Sequence, residues 1–341
     1  MEGNKPYLAV ILVQSIYAAM FLLSKAAFDH GMNNFIFVFY RQAFATIFLL
    51  PFSFFFEWKT APPLSFITFC KIFFISFIGI TASLDIYGIA LIYTSATLAA
   101  ATTNSLPVIT FFLALLLRIE SLKVKTAAGV AKLVGVVACL AGVATLAFYK
   151  GPHFELLSHS HILGNHKRQQ NLGRVQSGSW IKGCFLLLLS NTCWGIWLVL
   201  QTFVVKSYPS KLLLTNLQCF LSSIQSFVVA LAVERDIEQW KLGWNVRLLA
   251  VVYCGIVVTG FTYYLQTWVI HKKGPVFLAM STPLALIMTI FSSAILLGEI
   301  ISLGSLLGGG ALVFGLYCVL WGKSREQRPK ASLDLEQPSV N

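Results

Sequence analysis

The chain has 341 residues, of which 57% are hydrophobic and 11% charged, against roughly 45–50% and about 25% in soluble domains, so lipid is its principal solvent. That balance excludes a secreted disulfide scaffold, a nucleic-acid binder and a soluble enzyme, even though 25 Lys plus Arg against 13 Asp plus Glu leave a net charge of +12. The apolar content suffices for roughly ten spans of about 20 residues each.

The predicted spans follow in chain order. The first, 7–28, starts almost at Met1 as a secretory signal would, but it runs on without a small-residue cleavage site and is retained as a span. It carries Gln14 and Ser15. Span two, 34–56, holds Arg41, and span three, 66–92, holds Asp85. Span four, 95–117, contains Thr103, Asn104 and Pro107 and closes as LLLRIE at Glu120; span five is 124–149. A polar, basic, histidine-bearing stretch at 150–180 reads as a linker. Beyond it come span six, 181–205, with Asn191 and Trp194, and span seven, 211–233. Span eight, 246–270, has Tyr263, Tyr264 and Gln266; span nine, 275–297, has Ser281, Thr282 and Pro283 and closes as ILLGE at Glu299. Span ten, 301–321, is glycine-rich, with Gly304 and Gly308 in a GxxxG arrangement that suits close packing on a helix of this chain or of a second copy, which leaves room for a homo-oligomer. The charged tail after Trp321 is expected to be disordered.

Charge placement orients the spans. With the N-terminus inside, thirteen Lys and Arg fall in inner segments and eight in outer ones, so both termini are expected in the cytoplasm. The halves also look like copies. Glu120 and Glu299 lie 179 positions apart, each followed nine residues later by a glycine, and Asn104 falls opposite Pro283 at that offset. Five spans per copy is an odd number, so the second copy enters the membrane upside down. Such inverted repeats place substrate near the midplane. The expected organisation is a first repeat over 1–149, a linker over 150–180, a second repeat over 181–322 and a tail over 323–341.

Polar groups inside the bilayer are the informative residues. Arg41 and Asp85 both sit roughly 10–12 Å below the outer boundary at a 1.5 Å rise per residue, so an ion pair is sterically allowed. The functional reading makes Arg41 a bidentate grip on a carboxylate, with Asp85 orienting it or taking a proton. The bland reading has Arg41 snorkelling, with Asp85 as its counter-ion. Gln14, Asn104, Asn191, Gln266 and Thr282 could hydrogen-bond a ligand, although such side chains often only tie helices together. Trp194, Tyr263 and Tyr264 could bound an apolar group. Prolines 107 and 283 mark helix breaks beside these polar residues. Lys25, Lys71 and Lys132, near span ends, are expected to snorkel. The seven cysteines form no CxxC pair and the loop histidines no ligand spacing, so neither metal nor cofactor is expected. No HExxH, GxSxG or phosphate-loop pattern suggests catalysis.

Several stretches together, KPYLAVILVQSIYAAMFLLSKAAFDHGMNNFIFVFYRQ, YTSATLAAATTNSLPVITFFLALLLRIE, YYLQTWVIHKKGPVF, STPLALIMTIFSSAILLGE and LYCVLWGKSRE, resemble the plant nodulin-21-like, walls-are-thin-related or UMAMIT family. This is the EamA branch of the drug/metabolite transporters. The resemblance runs from about Lys5 to Glu326. It implies an all-α membrane protein of ten helices in two inverted EamA repeats, residence in the plasma or vacuolar membrane, and alternating-access movement of amino acids, with auxin or other organic acids handled by some members. The implied partners are a small-molecule substrate and membrane lipid, with no nucleic acid; a receptor or scaffold that binds without transport is the alternative of another class. Arg41 matches the family's YRN/YRQ arginine, Asn104 the asparagine before the span-four proline, Tyr263, Tyr264 and Gln266 its YYLQTW, and Pro283 its NP pair. Asp85 and Thr282 depart from the amides common at those positions.

Overall fold

The computed structural model describes residues 5–59, 61–93, 102–120, 125–148, 153–154, 177–297 and 301–336. Helices α1 (Lys5–Asp29) and α2 (Asn34–Phe56) fill the first two predicted spans; the third is α3 (Phe66–Ser76), a π-helical segment (Phe77–Ala82) and α4 (Ser83–Tyr93). Then come α5 (Leu106–Leu116), α6 (Ala127–Phe148), α7 (Ser177–Ser207) and α8 (Lys211–Val233). Span eight is α9 (Val246–Val252), a second π-helical segment (Tyr253–Phe261) and α10 (Thr262–Lys273). A break at Met280 and Ser281 divides α11 (Pro275–Ala279) from α12 (Thr282–Leu297), and α13 (Leu303–Glu336) closes the chain. The only strands among the described residues are β1 (His153–Phe154) and β2 (Ile301–Ser302), which pair antiparallel. Among the described residues, six helical stretches, from Asn34–Phe56 to Val246–Lys273, are long and apolar enough to cross a bilayer, and four shorter apolar ones lie in the remaining predicted runs. The protein is a multi-pass, all-helical membrane protein.

The helices follow from the sequence. Asn33 caps α2, its side chain accepting from Phe35 N at 2.9 Å, and long runs of Phe, Leu and Ile then supply a lipid-facing surface. Pro107 and Pro283 stand in the first turns of α5 and α12, where a missing amide donor is harmless, so each break precedes its proline. Gly274, with φ +85°, makes the turn between α10 and α11.

Helices α6 and α13 approach each other closely through glycines. A Cβ on Gly315 would lie 2.6 Å from the Gly135 carbonyl and one on Gly135 2.6 Å from the Gly315 carbonyl, while Gly142 and Gly322 approach the Gly308 and Ala128 carbonyls at 2.9 and 2.6 Å. The helix partner of Gly308, Gly315 and Gly322 is thus within the same chain, whereas Gly309 and Gly310 meet nothing within 4 Å.

One expectation needs correction. Lys132 does not snorkel: it is 1% exposed and ion-paired to Glu120 at 3.2 Å. The cause is its direction, since it points into the tight α6–α13 seam beside Gly322, where only a carboxylate can offset its burial. Helix α13 runs to Glu336, past Trp321, where the tail was expected to begin. Residues 337–341, Glu299 and most of the histidine-bearing linker lie outside the described residues.

Candidate functional site

Arg41 lies in α2 and is 4% exposed. Its Nε donates to Thr259 Oγ1 at 2.6 Å. Thr259 belongs to the π-helical segment of span eight, and such segments recur at functional sites because they interrupt the regular ladder and re-aim side chains. One turn further on, Tyr263 is fully buried, its hydroxyl facing Gln42 and Thr259 without a well-formed hydrogen bond. Gln266 Nε2 donates to the Tyr17 hydroxyl at 2.8 Å, completing a polar cluster around Arg41 from α1, α2 and span eight. No ion pair to Arg41 exists among the described residues.

An aromatic wall borders this cluster. Trp194 and Trp197 of α7 stack at 5.0 Å with an interplanar angle of 25°, and Tyr263 lies 5.6 Å from each. Tyr264, about 100° further round its helix, is half-buried and faces the Glu57 side, so it does not join the wall.

The two helix breaks meet. Thr103, Asn104, Thr282, Ala285 and Thr289, with Phe21 of α1, surround a cavity of about 20 Å³, the size of one water. Pro283 is buried beside it, and Asn191 Nδ2 bonds the Thr102 carbonyl at 2.9 Å. Gln14 Nε2 donates to Ser281 Oγ at 2.7 Å in the second break. Towards the N-terminal end of α1, Tyr7, Val10, Phe277, Ser281, Leu284 and Leu316 line a cavity of about 120 Å³. Both volumes fall below the roughly 300 Å³ of an ordinary ligand site. Gln14, Tyr17 and Phe21, spaced i, i+3, i+7, turn one face of α1 onto all these elements.

Asp85 stands apart. It is 7% exposed, its Oδ1 has no hydrogen-bond partner among the described residues, and the sterically allowed pair with Arg41 is not formed. The reason is azimuth: α4 packs chiefly on α7, whereas Arg41 turns to span eight.

Tyr17, Gln42 and Thr259 were not picked out from the sequence, nor was a second buried network in which Gln201 and Gln218 exchange amide bonds at 2.7 and 3.2 Å and Gln201 also reaches Thr267 at 3.1 Å. For the second network the i, i+4 spacing of Tyr263 and Thr267 was a signal; Tyr17, Gln42 and Thr259 left none. No cluster of metal-ligating side chains occurs among the described residues.

Residues 4–148 and 181–321 each match the EamA-like transporter family. The chain belongs to that family. Within it, a WAT1-related protein of Arabidopsis thaliana is 64% identical over 332 residues, covering 96% of this chain and 92% of the relative. A second is 49% identical over 327 residues, with 96% and 94% covered. The Arabidopsis protein WALLS ARE THIN 1 is 36% identical over 331 residues, with 96% and 85% covered. A solved crystal structure superposes over 94% of this chain and 98% of its own at a TM-score of 0.66 and 12% identity, which speaks to the fold alone. The EamA-like protein is therefore a WAT1-related membrane protein of a transporter family, and the two matched segments leave 149–180 between them.

Proposed function

We propose that this protein is a ten-span carrier in which residues 1–149 and 181–322 form inverted repeats joined by the 150–180 linker, with a tail over 323–341. Both termini are cytoplasmic, the membrane is the plasma or vacuolar membrane, and alternating access moves small carboxylate-bearing solutes, amino acids first among them. The observation that carries this is Arg41: a buried guanidinium that, among the described residues, hydrogen-bonds Thr259 and forms no ion pair, in a cluster reached from both halves. Leaving a buried charge uncompensated costs several kcal/mol, so an incoming carboxylate gains what a resident partner would otherwise supply. Gln266, Asn104, Asn191, Gln14 and Thr282 supply hydrogen bonds along the path, and Trp194 and Tyr263 bound the substrate side chain. The test is an uptake and efflux panel of amino acids and auxin across liposomes containing the pure protein, at two pH values. Saturable movement of at least one amino acid is expected; failure of every compound, while a related carrier moves them, ends this reading.

Asp85 is the group in this arrangement able to carry a proton. Asp85→Asn is expected to flatten the pH dependence of uptake while the protein stays folded. A pH profile unchanged from wild type removes Asp85 from that role.

A further inference from the structure

Helices α2 and α8 pack lengthwise and antiparallel, one from each half. Glu57 ends α2, and its Oε2 accepts from Ser210 Oγ and from the Leu212 and Leu213 amides at 2.9 and 3.1 Å, at the start of α8. Ser210 is the N-cap residue of α8 but makes no capping bond of its own; the carboxylate of the other half replaces it. At the opposite end the roles are exchanged. Glu234 ends α8, and its Oε2 accepts from Nδ2 of Asn33, the N-cap residue of α2, at 2.7 Å. Asn33 and Ser210 stand 177 positions apart, and so do Glu57 and Glu234. Each helix thus ends in a glutamate that grips the first residue of its partner, as a two-fold axis through the middle of the pair requires.

We infer that Glu57 and Glu234 are reciprocal latches on opposite membrane faces, and that release of one while the other holds opens the Arg41 cluster to one face at a time. The inference rests on the carrier reading above. It follows from placement: the latches tie the two halves across the seam that borders Arg41, both are fastened in this form, and a carrier must part its halves at one end only. The latches are unequal. Glu57 gathers a hydroxyl and two amides at a helix N-terminus, where the helix dipole adds to the attraction, while Glu234 holds one side-chain amide across the seam and the Asp236 amide of its own loop at 3.0 Å.

The test uses the full chain in liposomes, with spin-label pairs on exposed positions 59 and 206 beside the first latch and 30 and 235 beside the second, read by pulsed electron resonance. Glu57→Ala is expected to raise the open fraction at 59/206 by roughly tenfold or more, as loss of charge-assisted hydrogen bonds implies, with 30/235 unmoved. Glu234→Ala is expected to do the reverse. Should Glu57→Ala fail to fold, Ser210→Ala, which leaves the two amide bonds in place, replaces it with a smaller widening at the same pair. Distances unchanged in both pairs, or both pairs widening together in either variant, overturn the latches. Wild-type transport is measured separately: one-sided widening in a protein that moves no solute would overturn the carrier reading, whereas transport without one-sided widening would overturn the latches alone.

Discussion

Replacing Arg41 with alanine is expected to lower the transport efficiency for carboxylate-bearing solutes by roughly a hundredfold, about 2.7 kcal/mol, the scale of a bidentate charge-assisted contact. Arg41→Lys keeps the charge but not the planar fork or the Nε bond to Thr259, so it is expected to recover only part of the loss. Thr259→Val removes the oxygen that orients the guanidinium and is expected to reduce efficiency by roughly tenfold, a positioning effect smaller than loss of the group itself. Initial uptake rates over a range of substrate concentrations check all three, with monodisperse size-exclusion profiles as the control for folding. An Arg41→Ala protein that transports at the wild-type rate would assign the guanidinium a purely structural role.

The second large effect concerns stability. Gly315→Val is expected to destabilise the protein by about 3 kcal/mol, because the new side chain meets the Gly135 carbonyl, and backbone cannot turn aside as a side-chain tip can. Gly310, also on α13, has nothing within 4 Å of an added Cβ. Gly310→Ala is therefore expected to be neutral or slightly stabilising, by up to about 1 kcal/mol through helix propensity. Thermal unfolding in detergent compares them. Equal melting temperatures for the two variants would mean that the α6–α13 seam is looser than its geometry implies.

Much of this was legible in the sequence because hydropathy and proline chemistry act locally. Spans two, three, five, six, seven and eight could be read off their apolar runs, and the prolines at 107 and 283 placed the breaks that bring Asn104 and Thr282 to one cavity. Azimuth was not legible. Arg41 and Asp85 were expected at similar depth, yet one turns to span eight and the other sits on a helix packed chiefly against α7. The same blindness hid Lys132, whose distance from the span end suggested snorkelling while its direction leads into the α6–α13 seam. The π-helical segments left no periodic trace, so Thr259 looked like one more buried threonine. Glu57 and Glu234 read as loop charges until their contacts were seen; only then does the shared offset of 177 acquire meaning.

The central claim is that a carboxylate is what the Arg41 cluster grips. The most direct measurement compares, in liposomes containing the purified protein, uptake of an amino acid found to be transported with uptake of the amine formed by removing its carboxyl group. The account predicts saturable entry of the amino acid, no protein-dependent entry of the amine, and collapse of this difference in Arg41→Ala. Equal protein-dependent entry of both compounds would contradict it.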